Sequence, residues 1–361
     1  MERCETFHDY YRIEVYTLFA LTVTLEVRMR LNKVQRAAYE LIQADARFLY
    51  TLVDMSQNAS NISSNYIMMC QPYIGIFADG AEQWCKKLGL KAPLFNEQEK
   101  NYYDALRQSH KLLEKTHSEY ANLLMSKLAE SDQYFYSIRS LREKVFGYYN
   151  VGTDLFNGEY CGNTILGAAY IPMPLLSNQN VSIMIKDLSV IVGELAGFFG
   201  CKAFAPYLYD DKGNTVECKD FHFFNNCPLK EKNELGVVLF SILCNINYAT
   251  VFIENFFLEE IPQKFKFAYL QYYYLCDFVN ELRLTKGTNY SIDDALQNRE
   301  LRNCLAHYGL GQYLEEKDII ETDILKGLTV KAFNLDYFET KRQLFKHLLK
   351  LRDQIQTNIL A

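Results

Sequence analysis

Apolar residues recur three and four positions apart over most of the chain, the spacing of one face of an α-helix. Residues 10–55 carry Leu, Val, Ala, Arg and Glu without a single Gly or Pro and read as helix. The polar stretch Ser56–Asn65, SQNASNISSN, reads as a loop. A helical piece around Gly80–Leu88 stops before Gly89 and Pro93. The clearest pattern runs from Asn96 to about Phe146, where Leu106, Leu113, Tyr120 and Leu124 share one stripe, and it predicts a single long helix.

Between Gly147 and Pro228 the texture changes. Gly152, Gly158, Gly162, Gly167, Pro172 and Pro174 cluster there, and Thr164–Ile171 and Ala203–Tyr209 read as short strands. Asp210-Asp211-Lys212-Gly213 is a turn signal, predicting a hairpin between Tyr209 and Thr215. Asn180–Phe199 reads as a helix closed by Gly200, with a strand over Val181–Ile185 as the alternative. Helical spacing then returns at 230–257, 263–284, 292–308 and 337–358. The pattern as a whole predicts a mainly α protein. It has a helical N-terminal region (1–150), a small mixed α/β connecting region (151–228) and a four-helix C-terminal domain (229–361).

Composition sharpens this in a few places. With 49% apolar and 23% charged residues, the 361-residue chain has enough apolar surface for a packed core, which excludes disordered and collagen-like classes. The net charge of −6 offers no global basic field, so any nucleic acid contact must come from a local patch. The ten cysteines form no close pairs, and several sit in apolar helical runs, where a free thiol packs as a small hydrophobe. Met1–Tyr11 is polar and lacks a signal-peptide pattern, and Val15–Leu25 is too short to span a bilayer. The expectation is a reduced, cytoplasmic protein that does not insert in a membrane. No P-loop, G-x-G-x-x-G or G-x-S-x-G pattern occurs, leaving nucleotide hydrolysis, hydride transfer and serine hydrolysis without support.

The informative stretch is Ser291–Leu314, SIDDALQNRELRNCLAHYGLGQYL. Ser291 and Asp294 resemble a helix start, and Gly309 and Gly311 a stop. On a helical wheel Arg299, Arg302, Asn303, Ala306 and His307 fall within about 140° of arc, while Leu301, Leu305 and Tyr308 fall on the other side. The small Ala306 leaves room between the polar residues for a ligand or a second chain. The loose pattern of an arginine followed by a histidine also occurs at Arg3…His8 and Arg342…His347. The tighter Arg-Asn-x3-His form occurs once, against a chance expectation of about 0.02 in such a chain.

Arg302-Asn303-Cys304-Leu305-Ala306-His307 resembles the R-x4–6-H signature of HEPN domains, and the expected four-helix layout of the last third of the chain, with the motif on its third helix, is similar to theirs. The resemblance implies a metal-independent endoribonuclease of toxin or abortive-infection type, needing no cofactor and acting as a homodimer on RNA rather than DNA. It implies catalytic roles for His307 as acid and base, Arg302 as stabiliser of the phosphate and Asn303 as a positioning residue. Non-catalytic relatives of the same kind would bind RNA, a nucleotide or a protein partner with this face. The chemistry suits the residue types. Imidazole exchanges protons near neutrality, and a guanidinium stabilises charge growing on phosphoryl oxygens.

Further cations offer a phosphate-backbone track. Lys341, Arg342, Lys346, His347, Lys350 and Arg352 fall within twelve residues that hold no acid, above a stripe of Leu344, Leu348, Leu351 and Ile355. Arg299, Lys341, Arg342, Lys346 and Lys350 are the candidate RNA-binding residues. Two apparent metal sets are set aside. His110 and His117 share the wheel sector of Leu106 and Leu113, which makes them core residues with Glu114 between them. Cys201, Cys218, His222 and Cys227 have no zinc-knuckle spacing. The run Arg139–Lys144 looks like a degenerate counterpart of the later motif, without its histidine, or an ordinary charged helix end.

Overall fold

The structure is a computed structural model that describes residues 30–59, 62–90, 93, 95–138, 140, 141, 145, 152–171, 178–199, 205–220, 229–308, 313–321 and 323–360. The chain is mainly helical, with one small antiparallel sheet in the middle of the sequence. The first described helix, α1 (Lys33–Asn58), begins where Asn32 and Gln35 cap one another, each side chain bonding the other's backbone N–H. It therefore covers only part of the predicted 10–55 segment, whose first twenty positions lie outside the described residues. It also runs three residues into the polar SQN stretch. After α2 (Ser64–Met68), helix α3 (Gln71–Lys87) starts with a proline in its first turn, a position that needs no N–H donor.

The predicted long helix from Asn96 is interrupted. It consists of α4 (Glu97–Ser109), a 3₁₀ turn (Leu112–Glu114) and α5 (His117–Ile138). The break has a local cause. The His110 ring donates from Nδ1 to the Arg107 carbonyl at 2.5 Å, so that ring occupies a helix-forming acceptor. Thr116 and Glu119 then open α5 with reciprocal side-chain to backbone bonds at 3.3 and 2.9 Å.

The sheet consists of β1 (Gly152–Phe156), β2 (Glu159–Asn163) and β3 (Val216–Asp220) in the order β2-β1-β3. Asn157 and Gly158, both at positive φ (52° and 84°), turn β1 back into β2. The Thr164–Ile171 segment is not a strand but the helix α6 (Thr164–Ala169), capped by the Asn163 side chain. Helix α7 (Asn178–Phe198) settles the alternative at Val181–Ile185 as helix. Ala205–Leu208 form no strand, and Ala203 lies outside the described residues. The Asp210–Gly213 turn is present, with the Asp210 carboxylate accepting from the Lys212 and Gly213 nitrogens, yet it closes no hairpin. Tyr209 bridges to Phe257, while Thr215 pairs with Asn157.

The last third holds α8 (Glu234–Asn247), a π-helical turn (Tyr248–Phe252), α9 (Ile253–Phe256), α10 (Pro262–Lys286), α11 (Arg299–His307), α12 (Ile324–Phe333) and α13 (Tyr337–Ile359). Two features depart from the predicted four helices. Helix α12 is additional, and the motif helix is nine residues long rather than spanning 292–308. Residues 293–298 are held in a non-helical path because two tyrosines of α10 satisfy their backbone. Tyr272 donates to the Asp293 carbonyl and accepts from the Leu296 nitrogen, and Tyr269 does the same for Leu296 and Asn298. Asn298, not Ser291, caps α11, accepting from the Leu301 nitrogen at 2.9 Å.

One continuous apolar core extends from Leu31 to Ile359. Helix α8 is apolar and, with the turns that follow it, long enough to cross a bilayer (Glu234–Phe256). About 89% of its most apolar stretch is buried among α5, β2 and α13. Cys70, Cys85, Cys161, Cys244, Cys276 and Cys304 are buried free thiols, as expected of small apolar residues, and Cys218 is exposed on β3.

Candidate functional site

Helix α3 lies between α4 and α11, and two glycines set its distance from each. A Cβ on Gly75 would collide with the backbone nitrogen of Arg107 on α4. A Cβ on Gly80 would stand 2.7 Å from the Tyr308 ring and 3.0 Å from the Ala306 carbonyl at the end of α11. Asp79 lies between these contacts and is 7% exposed. Its carboxylate meets the Arg107 guanidinium at 3.1 Å and faces Nδ1 of His307 at 3.9 Å.

His307 is the last residue of α11. Behind it Tyr308 turns into the left-handed region (φ 54°) and reaches across the core to donate its hydroxyl proton to Asp45 of α1 at 2.5 Å. Asp45 also accepts from Lys266 (2.5 Å) and Gln263 (2.7 Å) of α10, so a buried carboxylate with three donors holds the end of the motif helix. With Tyr308 drawn inward, the His307 side chain stays 48% exposed at the junction of α3, α4 and α11. Burial pushes its pKa below the ordinary imidazole value. Asp79 acts against that shift, whereas Arg107, Arg302 and Lys111 add to it.

Arg302 lies one turn back on α11 and is half-buried. Its guanidinium carbon is 5.0 Å from the centre of the Tyr273 ring and 5.7 Å from that of Tyr274. Its Nε is buried without a hydrogen-bond partner among the described residues, and the same holds for Nε of Arg107. The Tyr274 hydroxyl in turn lies 3.1 Å from Nε2 of His110. Burial holds the His110 pKa down to about 4, so the ring is neutral near pH 7, with its Nδ1 proton on the Arg107 carbonyl. Asn303 is half-buried and Arg299 exposed, both on α11. Ala306 is 4% exposed beside Gly80, so α3 fills the room that the wheel assigned to a ligand or second chain.

Comparison with protein-family models, curated proteins and solved structures finds no match. The site therefore rests on its own geometry.

The cations of α13 are placed elsewhere. Lys341 is buried in a double ion pair with Glu254 and Glu260, at 2.9 and 2.8 Å, and so is engaged by protein carboxylates. Arg342 folds back on Glu339 at 2.6 Å. Lys346 and Lys350 are exposed and line an open groove with Phe338, Phe345 and Leu349. Among the described residues, no hydrogen bond, ion pair or ring contact joins any of the four to Arg302 or His307. His347 is packed against Tyr272 and lies 3.9 Å from Asp293.

Asp79, Arg107, Lys111 and Tyr274 were not recognised from the sequence, because each belongs to an element far from the motif in sequence. The signal available was the pair of glycines on α3, five residues apart on a helix otherwise rich in bulky side chains. Of the residues considered as metal ligands, His110 and His117 lie on either side of the helix break. His117 is 2% exposed, and neither ring nitrogen has a partner among the described residues. Cys201, His222 and Cys227 lie outside the described residues. Among the described residues, no three His, Cys, Asp or Glu side chains converge as a metal cluster would. The Arg139–Lys144 run also lies mostly outside them.

Proposed function

We propose that the chain is an endoribonuclease that cleaves RNA without a metal at the Arg302–His307 face of α11. The observation that carries this reading is the half-exposed His307 imidazole, with a buried carboxylate facing one nitrogen and Arg302 close enough to act on its charge. Neutral His307 takes the proton of a ribose 2′-OH. The 2′-oxygen then bonds to the adjacent phosphorus, and the bond from phosphorus to the 5′-oxygen breaks. The departing oxygen takes a proton from water, and the imidazolium returns its own to solvent. Arg302 stabilises the added charge on the phosphoryl oxygens, and its stacking on Tyr273 and Tyr274 fixes its position beforehand. The products carry a 2′,3′-cyclic phosphate and a 5′-hydroxyl. A toxin or antiviral role belongs to this reading through the resemblance alone.

The half-burial of Arg302 on two aromatic rings favours a second reading, in which the same face binds RNA or a nucleotide without cutting it. Incubation of the purified protein with total RNA and tRNA in EDTA separates the two. The nuclease reading expects wild-type cleavage that falls at least about a hundredfold in both Arg302→Ala and His307→Ala. Intact RNA in every lane, together with RNA binding that Arg302→Ala weakens, would leave the binding module.

A further inference from the structure

The geometry points to Arg107 and Asp79, on the N-terminal helices α4 and α3, as members of the same site as Arg302 and His307, so that one copy of the chain carries a complete centre for a phosphate or phosphodiester anion. This deepens the nuclease reading by naming what else grips the phosphate, and it rests on that reading for its substrate class. Three observations support it. Asp79 bridges the two halves, at 3.1 Å from Arg107 and 3.9 Å from His307. Arg107 and Arg302 each keep a buried, unpartnered Nε, and a guanidinium that already makes one ion pair or ring contact still has donors to offer an anion. The glycines at 75 and 80 let α4 and α11 approach α3 closely at the turns next to Asp79.

The charged groups acting on the His307 proton are Asp79 of α3, Arg107 of α4, Lys111 just beyond α4, and Arg302 of its own helix. Lys111 is itself paired with Glu114 at 3.9 Å, and Asp104 of α4 and Glu82 of α3 lie near Arg107 and Asp79, so an anion would be held by the two guanidinium forks rather than by net charge. Asp79 is a positioning residue. It holds Arg107 in place and, 3.9 Å from Nδ1 of His307, acts on the imidazole as a nearby negative charge. Arg107 and Arg302 form the anion clamp.

The test uses the full-length protein labelled at its six histidines, with the His307 resonance followed by NMR against pH and against inorganic phosphate. His307→Gln assigns the signal. Expected is a saturable phosphate response that raises the His307 pKa, because a nearby anion favours the imidazolium. Without phosphate, Asp79→Asn lowers that pKa and Arg107→Met raises it, while Arg107→Lys stays near wild type. Arg107→Met and Arg302→Met each weaken phosphate binding by about tenfold, the loss of one charge-assisted contact. Mixing Arg107→Met with His307→Gln protein should leave the weakened response unchanged, since neither chain borrows from the other. A phosphate response unaltered in Arg107→Met, or a His307 pKa unmoved by Asp79→Asn, overturns the proposal. Restoration on mixing overturns its single-copy part. These readouts are separate from RNA cleavage. A wild type that binds phosphate as described but cuts no RNA removes the nuclease reading and leaves the anion site standing.

Discussion

At the scale of single residues, the site is governed by which side chains are kept neutral. His110 is the clearest case, since it is buried with its Nδ1 proton on the Arg107 carbonyl and the Tyr274 hydroxyl beside Nε2. Its pKa lies near 4 in the folded chain against 6.5 for a free imidazole. Between those values the unfolded chain holds the proton and the folded chain does not. Stability should therefore fall as pH is lowered from 6.5 to about 4 and gain no further loss from this group below that. Urea midpoints measured from pH 4 to 7 should show that slope, and His110→Gln should flatten it. His117, His307 and His347 are shifted in the same direction and add to the slope. The sequence made His307 visible because an Arg-Asn-x3-His string is rare by chance. It left Asp79 invisible, because a lone aspartate in an apolar helix carries no local pattern.

At the scale of elements, the wheel assigned Leu301, Leu305 and Tyr308 to the core, where all three are fully buried. It left the other side of α11 open, whereas Ala306 is covered by α3. The difference arises from Gly80, whose missing side chain admits a close helix contact that no periodicity on α11 reveals. Gly80→Ala should consequently push α3 away from Tyr308. A loss of about 1–3 kcal/mol in unfolding free energy is expected, read by denaturant titration, the usual cost of overfilling a tight contact. The start of α11 departs from its sequence pattern for a similar reason. Ser291 and Asp294 carry a helix-start pattern, but Tyr269 and Tyr272 satisfy the backbone of 293–298 in another conformation. By contrast, Thr116 and Glu119, and Asn157 with Gly158, were legible signals for a helix start and a hairpin turn. The long apolar stripe around them concealed the first, and the local cluster of Gly152, Gly158, Gly162 and Gly167 concealed the second.

At the scale of the whole molecule, the mainly helical class followed directly from the 3.6-residue spacing, and the change in texture after Gly147 marked the region that holds the small sheet, though its strands are not the segments that the pattern suggested. What spacing does not encode is which helix meets which. The charge on α13 illustrates this, since a run of cations without acids looked available to a phosphate backbone until Glu254 and Glu260, more than eighty residues earlier, were found against Lys341. Lys341→Met should cost about 1–3 kcal/mol in thermal or urea unfolding, because two partly buried carboxylates lose their shared donor. Lys346→Ala and Lys350→Ala should stay within about 0.5 kcal/mol of wild type. In the cleavage assay, all three should match wild type per folded molecule. The bond from Tyr308 to Asp45 joins positions 263 residues apart. Contacts that close so long a loop form late, after shorter-range structure has reduced the entropy to be lost. During synthesis, Asp45 leaves the ribosome long before Tyr308 exists to meet it. A nascent or truncated chain that stops short of Tyr308 thus holds the histidine on an unanchored helix end, and the Arg302–His307 face is fixed to α1 only once Tyr308 has been made.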